Sequence, residues 1–227
     1  MNSERPLVYI AGRFDPNVIG MFYDLGYRGT SDLMLADLVV FTGGEDIDPV
    51  LYGEDPIKEC GTLNPRRDQH EVEVFNNAKN FNIPMIGICR GAQFLNVMNG
   101  GTLWQHVDNH TMGHKARCLL TGEIITVTST HHQMMRPPES AEVVMIAHQD
   151  SNRDTPSLCT TKLADKCTQY PGLADCDPEV VWFEKTKCLC VQFHPEYGSA
   201  KQSCLPYFIR LLNNFFPREE NSICADS

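Results

Sequence analysis

Pro84-Met85-Ile86-Gly87-Ile88-Cys89-Arg90-Gly91-Ala92-Gln93 is the stretch on which the reading of this chain turns. An apolar run of strand length ends in Gly87-Ile88-Cys89-Arg90-Gly91, and a helical pattern follows at once. Ala92, Leu95, Met98 and Asn99 carry that pattern until Gly100-Gly101 stops it. This is the form of a nucleophile elbow, the sharp strand-to-helix turn that lifts a Ser or Cys above a parallel sheet. A side chain two residues to either side of the nucleophile would collide with the neighbouring strand or helix, hence the glycines. At the head of the helix, unpaired N–H groups and the positive dipole end favour thiolate over thiol. Cys89 is therefore the candidate nucleophile; the plainer alternative is a buried structural cysteine among glycines.

Far downstream, Val191-Gln192-Phe193-His194-Pro195-Glu196 is an apolar strand that delivers a His and, two residues on, a carboxylate. A cysteine nucleophile works best beside a general base whose tautomer a third group fixes. Positions i and i+2 of an extended chain point the same way, so Glu196 can reach the ring that His194 presents to Cys89. Upstream, the buried strand Leu38–Phe41 runs into Thr42-Gly43-Gly44. A Gly-Gly pair there is either a tight turn or a close approach of backbone N–H groups to a ligand. Beside an elbow the second reading is preferred: an oxyanion hole with one N–H from Gly43 or Gly44 and another from Arg90. Each such donor stabilises a tetrahedral intermediate by ~3–4 kcal/mol.

Gly-Ile-Cys-Arg-Gly-Ala-Gln together with Gln-Phe-His-Pro-Glu resembles the class I glutamine amidotransferase superfamily. Thr42-Gly43-Gly44-Glu45-Asp46-Ile47-Asp48-Pro49, followed by Leu51-Tyr52-Gly53, is similar to the branch of γ-glutamyl hydrolases (peptidase C26), including γ-glutamyl-γ-aminobutyrate hydrolase. The resemblance implies that Gln93, four residues beyond Cys89 on the same helix face, holds the amino-acid head of a glutamyl substrate. It also implies that Ser129-Thr130-His131-His132-Gln133 lines the substrate pocket, with His131, His132 and Gln133 as contacts. Here Thr128 stands where the branch has Asn. Arg66, Asp68 and Glu71 resemble an Arg-Asp…Glu stretch of the branch, but are read as a solvated surface.

The 227 residues suit one α/β domain with a sizeable core. A net charge of −10 argues against nucleic acid or an anionic membrane as partner. No apolar run approaches the ~20 residues of a membrane span. The start, Met1 to Pro6, lacks a signal-peptide pattern, and ten cysteines in so long a chain read as reduced thiols. A cytoplasmic protein is expected.

Along the chain, Leu7–Ile10 reads as a first strand and Val18–Leu25 as a helix. Asp68–Asn80 reads as a second helix with Asp68 as its N-cap. Ile124–Thr128 and Ala141–His148 read as strands, Val180–Phe183 with Cys188–Phe193 as a hairpin, and Leu205–Phe216 as a closing helix. His106, His110 and His114 bring no fixed ligand set with them, so they are read as loop histidines. A Cys-, Pro- and Asp-rich insertion from about 155 to 177 holds Cys159, Cys167 and Cys176, without a C-x-x-C pattern. It is expected to flank the pocket above Cys89. A polar tail follows about residue 217.

The expectation is thus one flavodoxin-like three-layer α/β domain over residues 1–227, with a mostly parallel central sheet. Cys89, His194 and Glu196 cleave the γ-amide of glutamine or a γ-glutamyl conjugate through a thioester, with no metal or organic cofactor. Two alternatives stand beside this. One is a glutaminase subunit that delivers ammonia to a separate synthetase or ligase; the other is a catalytically silent binding module of the same fold.

Overall fold

The structure is a computed structural model and describes residues 5–107, 110–148 and 177–217. The 155–177 insertion, apart from Asp177, and the tail beyond 217 lie outside the described residues. Among the described residues a nine-stranded mixed sheet forms the middle layer. Its core is parallel: β2 (Arg28–Gly29), β1 (Leu7–Ala11), β3 (Leu38–Phe41), β4 (Met85–Ile88) and β11 (Cys188–Val191) lie side by side in that order. From β11 the sheet continues antiparallel through β10 (Pro178–Phe183), β9 (Glu142–Ala147), β6 (His114–Cys118) and β7 (Ile124–Val127). A two-stranded ribbon, β5 (Thr102–Trp104) with β8 (Met134–Arg136), stands apart.

β3, β4 and β11 are buried at every position, which is why they read as unbroken apolar runs rather than alternating ones. Each face is covered by helices. On one side α1 (Pro16–Asp24) and α4 (Cys204–Phe215) bring Val18, Phe22, Phe208 and Leu212 against Val8, Val40, Ile86 and Val191. On the other, α2 (Pro65–Asn80) and α3 (Arg90–Met98) bring Val74, Phe75, Phe94 and Leu95 against Val39, Phe41 and Met85. This is the three-layer α/β architecture expected from the sequence.

Two helix starts differ from expectation for the same reason. α1 begins at Pro16, capped by the Asp15 carboxylate on Asn17 N and Val18 N. α2 begins at Pro65, capped by Asn64 on Arg67 N at 3.2 Å. Proline suits a first helical position, where its missing N–H is not needed. Asp68 is thus one turn inside α2 and caps nothing.

Candidate active site

β4 delivers Cys89 at its carboxyl end, with α3 starting at the next residue. Cys89 adopts φ 53° and ψ −111°, a sparsely populated conformation for a residue with a side chain. The flanking glycines are required sterically: a Cβ on Gly87 would lie 2.3 Å from the Gly91 carbonyl, and one on Gly91 would lie 2.1 Å from the Phe41 carbonyl oxygen. The helix and β3 therefore press on the turn from both sides.

The β10–β11 hairpin carries His194 to the same place, because β11 is paired with β4 in register: Val191 lies beside Ile88, and Cys89 N donates to Val191 O at 2.8 Å. His194 Nδ1–H donates to Glu196 Oε1 at 2.6 Å, and both side chains are buried. Nε2 of His194 finds no partner among the described residues. Burial works against an imidazolium here. Even so, the negative charge of the Cys89 sulfur and the hydrogen bond and charge of Glu196 together push the His194 pKa up to about 11. Gly43 sits at the junction, where an added Cβ would be 3.3 Å from His194 Cε1 and 3.8 Å from Cys89 Cβ.

His194 is held by Tyr197, which the sequence reading left out, and by Thr128, which it noted only as the departure from Asn. Tyr197 stacks on its ring, with centroids 4.3 Å apart and planes 8° from parallel. Thr128 clamps its backbone, with Oγ1 donating to His194 O at 2.8 Å and accepting from His194 N at 2.9 Å. The departure from Asn at 128 therefore places a two-way hydroxyl on the main chain that carries the base.

The loop after β3 is held from behind by a buried ion network. Arg67 donates to Thr42 O at 2.9 Å, Gly43 O at 3.0 Å, Glu45 Oε2 at 2.8 Å and Glu71 Oε1 at 2.9 Å. Arg90 donates through Nε to Glu45 O at 3.1 Å and pairs with Asp68 and Glu71. Asp68 Oδ2 in turn accepts from Asp48 N at 3.2 Å. Asp68 and Glu71 are therefore not the solvated face that the sequence reading expected. They are 2% and 0% exposed, because α2 turns them towards Arg90, itself 1% exposed. Burial holds the Asp68 carboxyl above its usual pKa even against the charge of Arg90. Arg67 rather than Arg66 makes the pair. Since the Thr42 and Gly43 carbonyls both turn to Arg67, planar trans peptides aim the N–H groups of Gly43 and Gly44 the opposite way.

Gln93 is buried, and its Nε2 donates to Gln133 O at 3.0 Å and Gln192 Oε1 at 3.3 Å. Both ends of the Gln133 side-chain amide, Gln192 Nε2 and His131 Nε2 are buried without a partner among the described residues. Burial pushes the His131 pKa down to about 3, so this ring is neutral. His132 points elsewhere: its Nε2 meets Asp46 Oδ1 at 3.1 Å, pinning the Gly-Gly loop. Its hydrogen bond to the Asp46 carboxylate holds its pKa above the usual value against partial burial. Cys188 and Cys190, by contrast, are buried core thiols in β11, their pKa values raised by burial, Cys188 to about 11.

The elbow, the strand order and the hairpin define an α/β protein of the class I glutamine amidotransferase type. Residues 30–196 match the Peptidase C26 family, and the chain belongs to it. A Mycobacterium tuberculosis protein provisionally named glutamine amidotransferase is 32% identical over 70% of this chain and 50% of its own. A Lactococcus lactis subsp. cremoris protein, provisionally named glutamine amidotransferase-like, is 49% identical over 32% of this chain and 39% of its own. The matched stretch thus spans half or less of the length of these two relatives. A glutamine amidotransferase from Thermotoga maritima shares the fold, with TM-score 0.56 at 15% identity, covering 94% of this chain and 84% of that one. Among the described residues no helix is long and apolar enough to cross a membrane.

Proposed function

We propose that the chain is a cysteine-dependent hydrolase of γ-glutamyl amides. Cys89 attacks the γ-carbonyl of glutamine or of a γ-glutamyl conjugate, forming a C–S bond while the C=O electron pair moves onto oxygen. N–H groups of Gly43 or Gly44 and of Arg90 receive that oxyanion. The His194 imidazolium gives its proton to the leaving nitrogen as the C–N bond breaks, leaving a γ-glutamyl thioester. Neutral His194 then takes a proton from water, which displaces Cys89 and releases glutamate. Glu196 orients the ring and stabilises its charged form. The observation that carries this reading is Gly43 lying between Cys89 and His194, with Nδ1 of His194 spent on Glu196 and Nε2 without a partner among the described residues.

Substrate contacts are assigned to the buried, unpartnered amide of Gln133 and to His131 Nε2. Gln93 and His132 support the pocket from behind, Gln93 through Gln133 and His132 through Asp46. The test is glutamate release by purified protein from glutamine and from γ-glutamyl amides of several amines. Turnover of at least one, lost by several orders of magnitude in His194→Ala, supports the reading. Folded protein that releases no glutamate from any of them overturns it in favour of a silent binding module. Release from glutamine alone narrows it to a glutaminase, the form that serves a separate synthetase.

A further inference from the structure

His110 and His114 come from the loop before β6 and the first residue of that strand, while Asp177 and Glu179 come from the start of β10. The sequence offered the histidines no fixed partners; β6 and β10, flanking β9 in the sheet, supply them from more than sixty residues away. His110 Nε2–H donates to Asp177 Oδ2 at 2.9 Å, which leaves Nδ1 facing Glu179 Oε1 at 3.7 Å with no hydrogen bond. His114 Nε2 meets Glu179 Oε1 at 2.9 Å, and its Nδ1 faces the Met112 carbonyl at 3.4 Å. His110, Asp177 and Glu179 are all 0–1% exposed. Asp177 Oδ1 and Glu179 Oε2 have no hydrogen-bond partner among the described residues.

We propose that His110, His114 and Glu179 form a site for a divalent transition-metal ion, zinc by its ligand set, with Asp177 orienting His110 from behind. One donor atom from each residue lies within 4.8 Å of the others. Bonds of about 2.0–2.2 Å to imidazole nitrogen and carboxylate oxygen bring such atoms together with only small side-chain shifts. Each imidazole already has one nitrogen turned to a carboxylate or a backbone carbonyl and the other turned inward, the arrangement that fixes the tautomer of metal-bound histidines. Charge points the same way. Two fully buried carboxylates face two imidazoles, with no Lys or Arg paired to them among the described residues. A dication balances both carboxylates with both rings neutral, whereas without it a buried negative charge must be met by protonating histidine.

Two histidines and one carboxylate leave a fourth position for water or another ligand. The ring of His131 packs on His110 with centroids 4.8 Å apart, and Glu179 O accepts from Gln192 N at 2.8 Å. The site therefore ties the loop before β6 to the hairpin that carries His194.

The test uses the full chain, stripped with a chelator and then titrated with Zn²⁺ against a chromophoric competitor, and in parallel with Co²⁺ as a spectroscopic probe. One Zn²⁺ per chain is expected. Glu179→Gln and His114→Gln should each weaken it at least about 100-fold, and Asp177→Asn by about 10–100-fold. The cobalt form should show visible bands without a sulfur-to-cobalt band, and Cys89→Ser should bind as tightly as the parent. Zn²⁺ should raise the melting temperature of the parent and not of the isosteric Glu179→Gln. No Zn²⁺ bound at micromolar concentration, a sulfur-to-cobalt band, or unchanged affinity in both Glu179→Gln and His114→Gln would each overturn the site. Failure of γ-glutamyl hydrolysis would leave it untouched, since its readout is binding.

Discussion

Two buried charge clusters flank the strand ends that carry Cys89 and His194, and they are built differently. Under the Gly43–Gly44 loop, Arg67 and Arg90 meet Glu45, Asp68 and Glu71, and none of these side chains is left with an unpartnered buried polar atom. Beside β10, His110 and His114 meet Asp177 and Glu179, and three polar atoms have no partner among the described residues. Guanidinium is always charged and presents a fork of donors, so the first cluster is complete with protein alone. Imidazole carries charge only conditionally, so the second cluster is complete only with an added proton or cation. The lesson is that the first is scaffold and the second is a switchable or ligand-taking site.

The largest expected effect lies in the scaffold. Arg90→Met strands Asp68 without its cation and leaves Glu71 with Arg67 alone, which should lower stability by about 3–5 kcal/mol in urea unfolding. Asp177→Asn in metal-free protein removes a buried carboxylate instead of stranding one, and should change stability by under about 1 kcal/mol. Comparable losses in the two variants would erase the distinction between the clusters.

Thr128→Val tests how His194 is held, apart from either charge cluster. It removes both hydrogen bonds to the His194 backbone, a cost of about 1–3 kcal/mol. Activity should fall with kcat rather than KM, because the lost contact holds the base and not the substrate. A change confined to KM would place Thr128 in the pocket instead.

The smallest effect concerns His132, whose folded pKa Asp46 holds above the ordinary 6.5. The stabilisation is fully present below 6.5 and is lost as pH rises through the higher folded value. The melting-temperature advantage of the parent over His132→Gln should thus be larger at pH 5.5 than at pH 8. An advantage that grew with pH would mean that Asp46 does not favour the charged ring.

The parts of this architecture that were legible in the sequence are those whose cause is local. The elbow declares itself because Gly87 and Gly91 are demanded by atoms within a few residues and by one neighbouring strand. The hairpin and the His194–Glu196 pair follow from the two-residue repeat of extended chain. The ion network was not legible in the same way, because helical spacing shows that Asp68 and Glu71 share a face but not where that face looks. Their partner is the side chain of Arg90, a residue singled out for its backbone N–H alone. A pair of acids three apart on a helix, with an arginine inside the elbow motif, was the available signal. Glu179 carried a fainter one: a carboxylate within the apolar run of β10, buried on both sides of the sheet. Thr128 and Tyr197 could be assigned only once the sheet had placed them against His194.

The most direct test of the central claim is labelling by a glutamine analogue that carries an electrophilic ketone in place of the γ-amide, read by intact mass and peptide mapping. The account predicts one label per chain on Cys89, slowed by glutamine or the preferred γ-glutamyl amide and much slowed in His194→Ala, with turnover lost in step. A folded protein that takes no label, or that takes it first on another cysteine such as Cys60 or Cys118, would contradict it.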